Sequence, residues 1–223
     1  MLEILGWIRG SAIPITTVEA GNGFADLEPL RRVIGDARIV SLGEATHGTR
    51  EFFQLKHRLL EFCISELGFT IFGIEASYPE CLRVNDYVLH GIGNPAGTLA
   101  GTRFWTWDTE EVLALIQWMR TWNATHERQV KFYGFDMQFP TEAALGILDY
   151  FKRVAPQTAT SSEAALWPLS DDFSADHFHL FPNVVRDAAL ACIGRIRETF
   201  ERERSAWVAA TSELEGVAKP RQK

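Results

Sequence analysis

The chain has 223 residues, a length sufficient for one sizeable domain that buries most of its apolar surface. Hydrophobic residues make up 46% of the sequence and charged residues 23%, proportions that are typical of an ordinary globular protein and exclude a disordered or membranous one. The net charge of −7 disfavours nucleic acid as a partner, because binding to phosphates requires clustered Lys and Arg side chains.

The N-terminal stretch MLEILGWIRGSAIP has no continuous apolar run followed by a small-residue cleavage site, so it does not resemble a signal peptide. No stretch reaches the roughly 18 apolar residues that a membrane helix needs. The three cysteines, Cys63, Cys81 and Cys192, are scattered and lack CxxC spacing, which favours reduced, mostly buried thiols. We therefore expect a cytoplasmic protein without a membrane partner.

Apolar runs typical of buried strands alternate with segments of helical periodicity. The patterns predict strands at 37–42, 69–74 and 130–135, and helices at about 50–67, 78–89, 108–122 and 141–154. Residues 90–103 are punctuated by glycine and predict a loop. Strands alternating with helices predict an α/β fold whose mostly parallel central sheet is flanked by helices on both faces.

The composition turns to Pro, Ser, Thr and Asp at 155–183, which predicts a linker or flexible lid. Residues 184–215 are again helix-like, and the basic tail VAKPRQK follows. We therefore predict a single domain over 1–223, with a core at about 15–154, the linker or lid, and a C-terminal helical segment.

Each of the three predicted strands runs into an acidic side chain, namely Glu44, Glu75 or Asp136. Ligands of open parallel sheets bind beyond the carboxyl ends of the strands, so these three carboxylates would converge on one rim. A single acid at a strand end is commonly a cap or turn residue, but three in succession favour a functional site.

His47 is the main catalytic candidate, because it follows a predicted strand in the segment Gly43-Glu44-Ala45-Thr46-His47-Gly48-Thr49. A histidine can accept a proton at neutral pH, and Glu44 can fix its tautomer and orientation. The alternative is a loop histidine that only hydrogen-bonds to backbone. We predict hydrolysis with His47 as the general base.

The sequence favours activated water over a serine nucleophile, because the GxSxG motif is absent. A metal centre built from the rim acids and the histidine is a weaker alternative. Asp176, His177 and His179 form a further candidate group for a metal, but they lie in a polar segment that is typical of solvated surface. We predict neither a metal nor another cofactor.

Aromatic residues beside the glycine-rich loop suggest the wall of an apolar pocket. Phe104, Trp105 and Trp107 lie between that loop and a predicted helix start. Core packing is the alternative explanation for them. Arg103 is a candidate for pairing with a rim carboxylate, or for orienting a substrate carbonyl and stabilising its developing negative charge.

The order of these motifs resembles the N-terminal half of the erythromycin esterase family. The resemblance covers roughly residues 15–150 and rests on the stretches SLGEATHGTREFFQLKHRLLEFCISELGFTIFGIEAS, RFWTWDTEEVLALIQWMR and FYGFDMQ. The combination of GEATHGTREF with FGIEAS and GFDMQ is more specific than any one of these motifs.

The resemblance implies a metal-independent hydrolase in which histidine-activated water opens a macrolide lactone, an antibiotic-resistance activity of the best-known members. It assigns the motif histidine and glutamate to His47 and Glu44, and the later strand-end acids to Glu75 and Asp136. Family members often have an arginine where this sequence has Lys56, so a bidentate contact is replaced by a point charge, here a candidate for oxyanion stabilisation. Other relatives are described only as succinoglycan-biosynthesis-like.

Relatives continue through a second half that adds helices and another active-site histidine, and no segment of this chain resembles it. We therefore expect weak or absent hydrolysis by residues 1–223 alone, with His177 and His179 as candidates to replace the missing group. Two alternatives stand beside an esterase. One is a non-catalytic or partner-dependent relative that binds a ligand or self-associates through an uncovered apolar face. The other is a metal-dependent hydrolase.

Overall fold

The computed structural model describes residues 2–218, with side chains described for residues 4–211. The chain divides into two compact units, Met1–Asp136 and Met137–Lys223. This boundary lies inside the segment 15–154 that the sequence predicted as one core. The tail from residue 219 onward lies outside the described residues.

The first unit is a mixed α/β structure, and the predicted fold class is confirmed. Its helices are α1 (Leu2–Ser11), α2 (Glu28–Ile34), α3 (Arg50–Leu67), α4 (Tyr78–His90), α5 (Pro95–Ala100) and α6 (Glu110–Thr125). Its strands, β1 (Ile71–Ser77) and β2 (Lys131–Asp136), pair in parallel. The helix α3 has the predicted bounds, and it ends at Gly68, which has the left-handed φ of 77° that favours glycine.

The two strands approach each other very closely near their carboxyl ends. Pairing is regular up to Ile74 opposite Gly134, and an irregularity then places Ser77 opposite Asp136. A Cβ atom on Gly134 would lie 2.2 Å from the carbonyl oxygen of Ala76. Only glycine is therefore accommodated at this point of β2.

The sheet has one covered face in the described part of the chain. Ile74, Ala76 and Phe132 belong to a core cluster with residues of α3, α4 and α6. On the other face, Ile71 is 58% exposed and Phe135 is 71% exposed. Helices were predicted to cover both faces of the sheet, but Ile71 and Phe135 are exposed on this second face.

Residues 37–42 do not form the predicted strand. The sheet contains β1 and β2, and no backbone hydrogen bond joins residues 38–44 to a described strand. Ile39 in this run is 83% exposed. The apolar pattern was therefore misleading, because a strand also requires a neighbour that satisfies its N–H and C=O groups.

Two local predictions around α6 are corrected by the structure. The helix predicted at about 108–122 begins at Glu110 and ends at Thr125, and the hydroxyl of its N-cap Thr109 accepts a hydrogen bond from the Val112 N–H. The predicted loop at 90–103 contains the short helix α5, whose N-cap Asn94 accepts from the Gly97 N–H. Both caps supply an acceptor for an N–H group that the helix itself leaves unsatisfied.

Helix α3 is tied to the preceding irregular segment through Arg58, which is 1% exposed. Its guanidinium donates to both carboxylate oxygens of Asp26 and to the backbone carbonyls of Thr17 and Gly23. The hydrogen bond from Arg58 is the main reason that the pKa of Asp26 lies well below its usual range. This bidentate pair anchors residues 17–26 on the helix that carries Lys56.

His57 on the same helix is 7% exposed and packs against Trp118, with ring centroids 6.0 Å apart. Burial lowers its pKa from 6.5 to about 4. The unfolded chain therefore takes up this proton at a higher pH than the folded chain. We expect the free energy of unfolding to fall as the pH is lowered from about 6.5 to 4, with a contribution approaching about 1.4 kcal/mol per pH unit.

Urea denaturation across this pH range, for the parent and a His57→Gln variant, measures that contribution. Burial raises the pKa of the neighbouring Glu61, which acts in the opposite direction, so the difference between the two proteins isolates His57. In the His57→Gln variant, the free energy of unfolding should fall less steeply than in the parent as the pH is lowered from about 6.5 to 4. Identical pH dependences in both proteins would contradict the prediction.

The three cysteines are free and buried. Burial raises the pKa of Cys81 to about 12 and also raises the pKa of Cys63. No helix among the described residues is both long and apolar enough to cross a membrane.

The second unit is helical, including the segment that the sequence predicted as a linker or lid. It contains α7 (Thr141–Val154), α8 (Pro156–Leu166), α9 (Asp172–Asp176), α10 (Asn183–Ala218) and 3₁₀ turns at Trp167–Leu169 and Phe178–Leu180. Pro156 occupies the first turn of α8, where its missing N–H costs nothing. Ala159 and Leu166 are buried in apolar clusters, and most of residues 155–183 are helical, so this segment is not an irregular connection.

Candidate active site

The segment before α3 makes a turn that brings His47 against Glu44. Gly48 has φ of 79°, a conformation that favours glycine, and the chain enters α3 two residues later. Nδ1 of His47 lies 2.5 Å from Oε1 of Glu44. The His47 side chain is 53% exposed and that of Glu44 is 9% exposed, so the carboxylate is shielded while the imidazole remains accessible.

Lys56, one and a half turns into α3, binds the other side of Glu44. Its Nζ donates to Oε2 of the carboxylate, and the ammonium lies 5.6 Å from the ring centroids of both Phe53 and Trp107. Burial alone would raise the pKa of Glu44, but the hydrogen bonds from Lys56 and His47 outweigh burial and lower it. Glu44 is therefore ionised at neutral pH.

The ionised carboxylate fixes the tautomer of His47. A carboxylate can only accept hydrogen bonds, so Nδ1 must carry the proton that is donated to Glu44. In the neutral imidazole Nε2 is then the unprotonated nitrogen, and no hydrogen bond joins it to a described residue. The arrangement leaves a nitrogen lone pair available to accept a proton.

A cavity of about 670 Å³ opens beside these residues. Glu44, His47, Lys56 and Glu75 line it. The wall is otherwise mainly apolar and includes Ile39, Val40, Leu42, Phe53, Leu60, Cys63, Phe69, Ile71, Phe72, Ile74, Trp107, Val112, Leu115 and Phe135. An apolar cavity with a few convergent polar groups is the usual form of a small-molecule site.

Of the three aromatic residues that the sequence suggested for a pocket wall, Trp107 lines the cavity. Trp107 is 6% exposed, and its Nε1–H donates to the backbone carbonyl of Glu75 over 2.8 Å. Trp105 is 76% exposed and does not line the cavity, and Phe104 packs against the main core cluster. Phe53 was missed by the sequence reasoning, although its position three residues before Lys56 places both on one face of α3.

Two further predicted site residues, Asp136 and Arg103, do not line the cavity. β1 has one more residue than β2 between the pairs Ile74–Gly134 and Ser77–Asp136, which disturbs the alternation of side chains at the strand ends. Of the three acids that were predicted to converge on one rim, Glu44 and Glu75 line the cavity and Asp136 does not. Arg103 is exposed and has φ of 64°, a positive value that no other described non-glycine residue shows.

Among the residues that the structure describes, no group of three or more His, Cys, Asp or Glu side chains is placed to hold a metal ion. His177 and His179 lie in the second unit, on exposed positions. Nδ1 of His177 donates to the backbone carbonyl of Phe173 over 2.8 Å. These two histidines and Asp176 thus do not form the metal-binding group that their spacing suggested.

Sequence comparison relates the chain to esterases. The model of the family described as "Erythromycin esterase" matches residues 64–213, a range that begins after Glu44 and His47. An erythromycin esterase type II from Escherichia coli is 34% identical over 131 residues, which are 59% of this chain and 31% of that relative.

Two solved structures share the fold at the same level of identity. A protein from Bacillus cereus is 30% identical with a TM-score of 0.81, over 94% of this chain and 51% of that chain. A succinoglycan biosynthesis protein is also 30% identical with a TM-score of 0.81, over 96% of this chain and 55% of that chain. The chain thus spans about a third of the Escherichia coli relative and about half of these two solved chains.

Proposed function

Because the chain belongs to the erythromycin esterase family, we propose that it is a carboxylic ester hydrolase in which His47 activates a water molecule. The observation that carries the proposal is the hydrogen bond between Nδ1 of His47 and ionised Glu44, which makes Nε2 the unprotonated nitrogen of the neutral imidazole, beside an apolar cavity. This is the geometry that a general base requires.

In the proposed reaction, Nε2 of His47 takes a proton from water as the water oxygen attacks the ester carbonyl. The resulting imidazolium is stabilised by Glu44, which remains ionised. The tetrahedral intermediate then collapses, the bond to the alkoxy oxygen breaks, and the imidazolium returns the proton to that leaving oxygen. One water is consumed, and a carboxylic acid and an alcohol are released.

Lys56 is the favoured source of positive charge near the developing oxyanion, because it lines the cavity. Its contact with Glu44 also gives it a second role, that of keeping the carboxylate ionised. Glu75 is proposed to support substrate binding from the end of β1. Arg103 and Asp136 are less favoured, since neither lines the cavity.

The cavity favours an ester with a bulky apolar body, and a macrolide lactone is one such substrate. Its volume of about 670 Å³ falls within the usual range for small-molecule sites, and its wall is mostly aliphatic and aromatic. The name of the Escherichia coli relative supports a macrolide as the first compound to test. Macrolide resistance would be the biological consequence.

We expect the purified chain to add one water, at the low rate foreseen for residues 1–223 alone, to at least one member of a panel containing erythromycin, simpler macrolactones and acyclic aryl esters. Mass spectrometry of the reaction mixture detects the product, and a reaction without protein is the control. Recovery of every ester unchanged would contradict the proposal. Loss of activity to a chelator, with recovery on adding a divalent metal, would replace the metal-independent mechanism by a metal-dependent one.

A second candidate function is a binding or partner-dependent relative that self-associates through the uncovered sheet face. The exposed side chains of Ile71 and Phe135 favour it, because apolar surface of this kind promotes association. Sedimentation of the purified chain separates the candidates. A monomer that hydrolyses an ester supports the esterase, and an inactive oligomer supports the alternative.

A cytoplasmic location is also proposed. The thiols Cys63, Cys81 and Cys192 are free and buried, as is usual for proteins of a reducing compartment.

A further inference from the structure

The loop at residues 43–48 carries the proposed base but has little support of its own. Residues 45–48 are exposed and belong to no helix or strand. No backbone hydrogen bond joins residues 43–48 to another described segment. The loop is held instead by side chains, of which Lys56 contacts Glu44 and Trp107 contacts His47.

Trp107 is itself fixed in place by three hydrogen bonds. Its Nε1–H donates to the carbonyl of Glu75 over 2.8 Å, which joins the indole to the end of β1. Its backbone N–H donates to Phe104, and its carbonyl accepts from Thr109. With 6% of its surface exposed, the ring is a rigid part of the cavity wall.

The indole contacts two groups of the proposed site at once. The His47 ring lies 6.0 Å from the Trp107 ring, centroid to centroid, at an interplanar angle of 81°, which is a favourable edge-to-face geometry. The Lys56 ammonium lies 5.6 Å from the Trp107 centroid, within the range of a cation–π contact. Phe53 packs on the indole at 5.5 Å and contacts the same ammonium.

We infer that Trp107 is a positioning residue, which holds the His47 imidazole and the Lys56 ammonium in the orientation that joins both to Glu44. The inference rests on the proposed esterase function for its catalytic consequence, but the positioning itself is a property of the unliganded protein. A residue that only packed the core would affect folding stability, whereas a positioning residue affects kcat in a protein that remains folded.

The test uses the full chain with Trp107→Leu, which removes the ring, and Trp107→Phe, which keeps an aromatic ring but removes the N–H donor. Trp7→Leu is the matched control, because Trp7 is 70% exposed in α1 and does not line the cavity. Two quantities are measured in each folded variant. One is the NMR chemical shift of the His47 ring protons without substrate, and the other is kcat and KM for an ester that the parent hydrolyses.

We expect the His47 ring resonances to move in both Trp107 variants, because the ring current of the indole is lost or reduced. In Trp107→Leu we expect kcat to fall on the order of 10- to 100-fold with little change in KM, and in Trp107→Phe to fall less. Trp7→Leu should match the parent in every measurement.

An unchanged kcat in Trp107→Leu would overturn the inference, whether or not the His47 resonances move. If this variant does not fold, the same comparison with Trp107→Phe decides the question. If the parent hydrolyses no ester, the proposed function fails separately. The ring ¹⁵N shifts of His47, which report its tautomer, then test the positioning alone: loss of the Nδ1–H form in Trp107→Leu supports it, and an unchanged tautomer overturns it.

Discussion

Replacement of His47 by alanine is expected to lower kcat/KM for ester hydrolysis by about 10²- to 10⁴-fold, the usual contribution of a general base. The imidazole provides the unprotonated nitrogen, and none of the other residues lining the cavity is a histidine. Folding stability should change little, because the His47 side chain is 53% exposed. Initial rates on the ester identified by mass spectrometry measure the effect.

His126→Ala is the matched control for this experiment. His126 is exposed, stacks on Trp122 beyond the end of α6, and does not line the cavity. Its removal should leave kcat/KM unchanged. A His47→Ala protein that hydrolyses the ester as fast as the parent would exclude His47 as the base, and with it the role of Glu44 as the orienting carboxylate.

Replacement of Gly134 by alanine is expected to lower the free energy of unfolding of the first unit by about 1–3 kcal/mol, or more if the strands cannot separate. The added Cβ would lie 2.2 Å from the carbonyl oxygen of Ala76 and 2.8 Å from that of Ser77. Both neighbours are backbone atoms, so relief requires movement of β1 itself. Urea denaturation followed by circular dichroism measures the loss.

Gly6→Ala is the control within the same unit. Gly6 lies in α1, and no heavy atom lies within 4 Å of the position that its Cβ would occupy. Alanine at this helical position should be neutral or stabilising, by up to about 1 kcal/mol. Equal midpoints for the two variants would show that the strands separate at no cost, contrary to the prediction.

Helical periodicity predicted most of the fold because its signal is local. The bounds of α3 and α7 follow directly from the recurrence of apolar residues and from the residues at their ends. The prediction of a strand at 37–42 was wrong for a nonlocal reason. The apolar composition of this run suits a strand, but no described strand pairs with it. The prediction of a linker or lid at 155–183 was wrong because Pro and Ser were interpreted as loop signals. Pro156 instead begins a helix that buries Ala159 and Leu166.

The candidate site was predictable as a motif but not as a three-dimensional arrangement. Glu44 and His47 were proposed from their place in the sequence, and in the structure Nδ1 of His47 lies 2.5 Å from Oε1 of Glu44. The choice between Trp105 and Trp107 depends on the turn before α6, and sequence spacing does not determine which indole is buried. The position of Asp136 depends on one extra residue in β1, which no sequence pattern indicates.

The burial of all three native thiols makes the chain a suitable background for site-selective labelling. Cys63 and Cys81 have raised pKa values, so little of either is the reactive thiolate at neutral pH. A single cysteine introduced at the exposed Ala45 would therefore react with a maleimide fluorophore ahead of the native residues. Such a probe would lie between Glu44 and His47 and would report movements of that loop in solution.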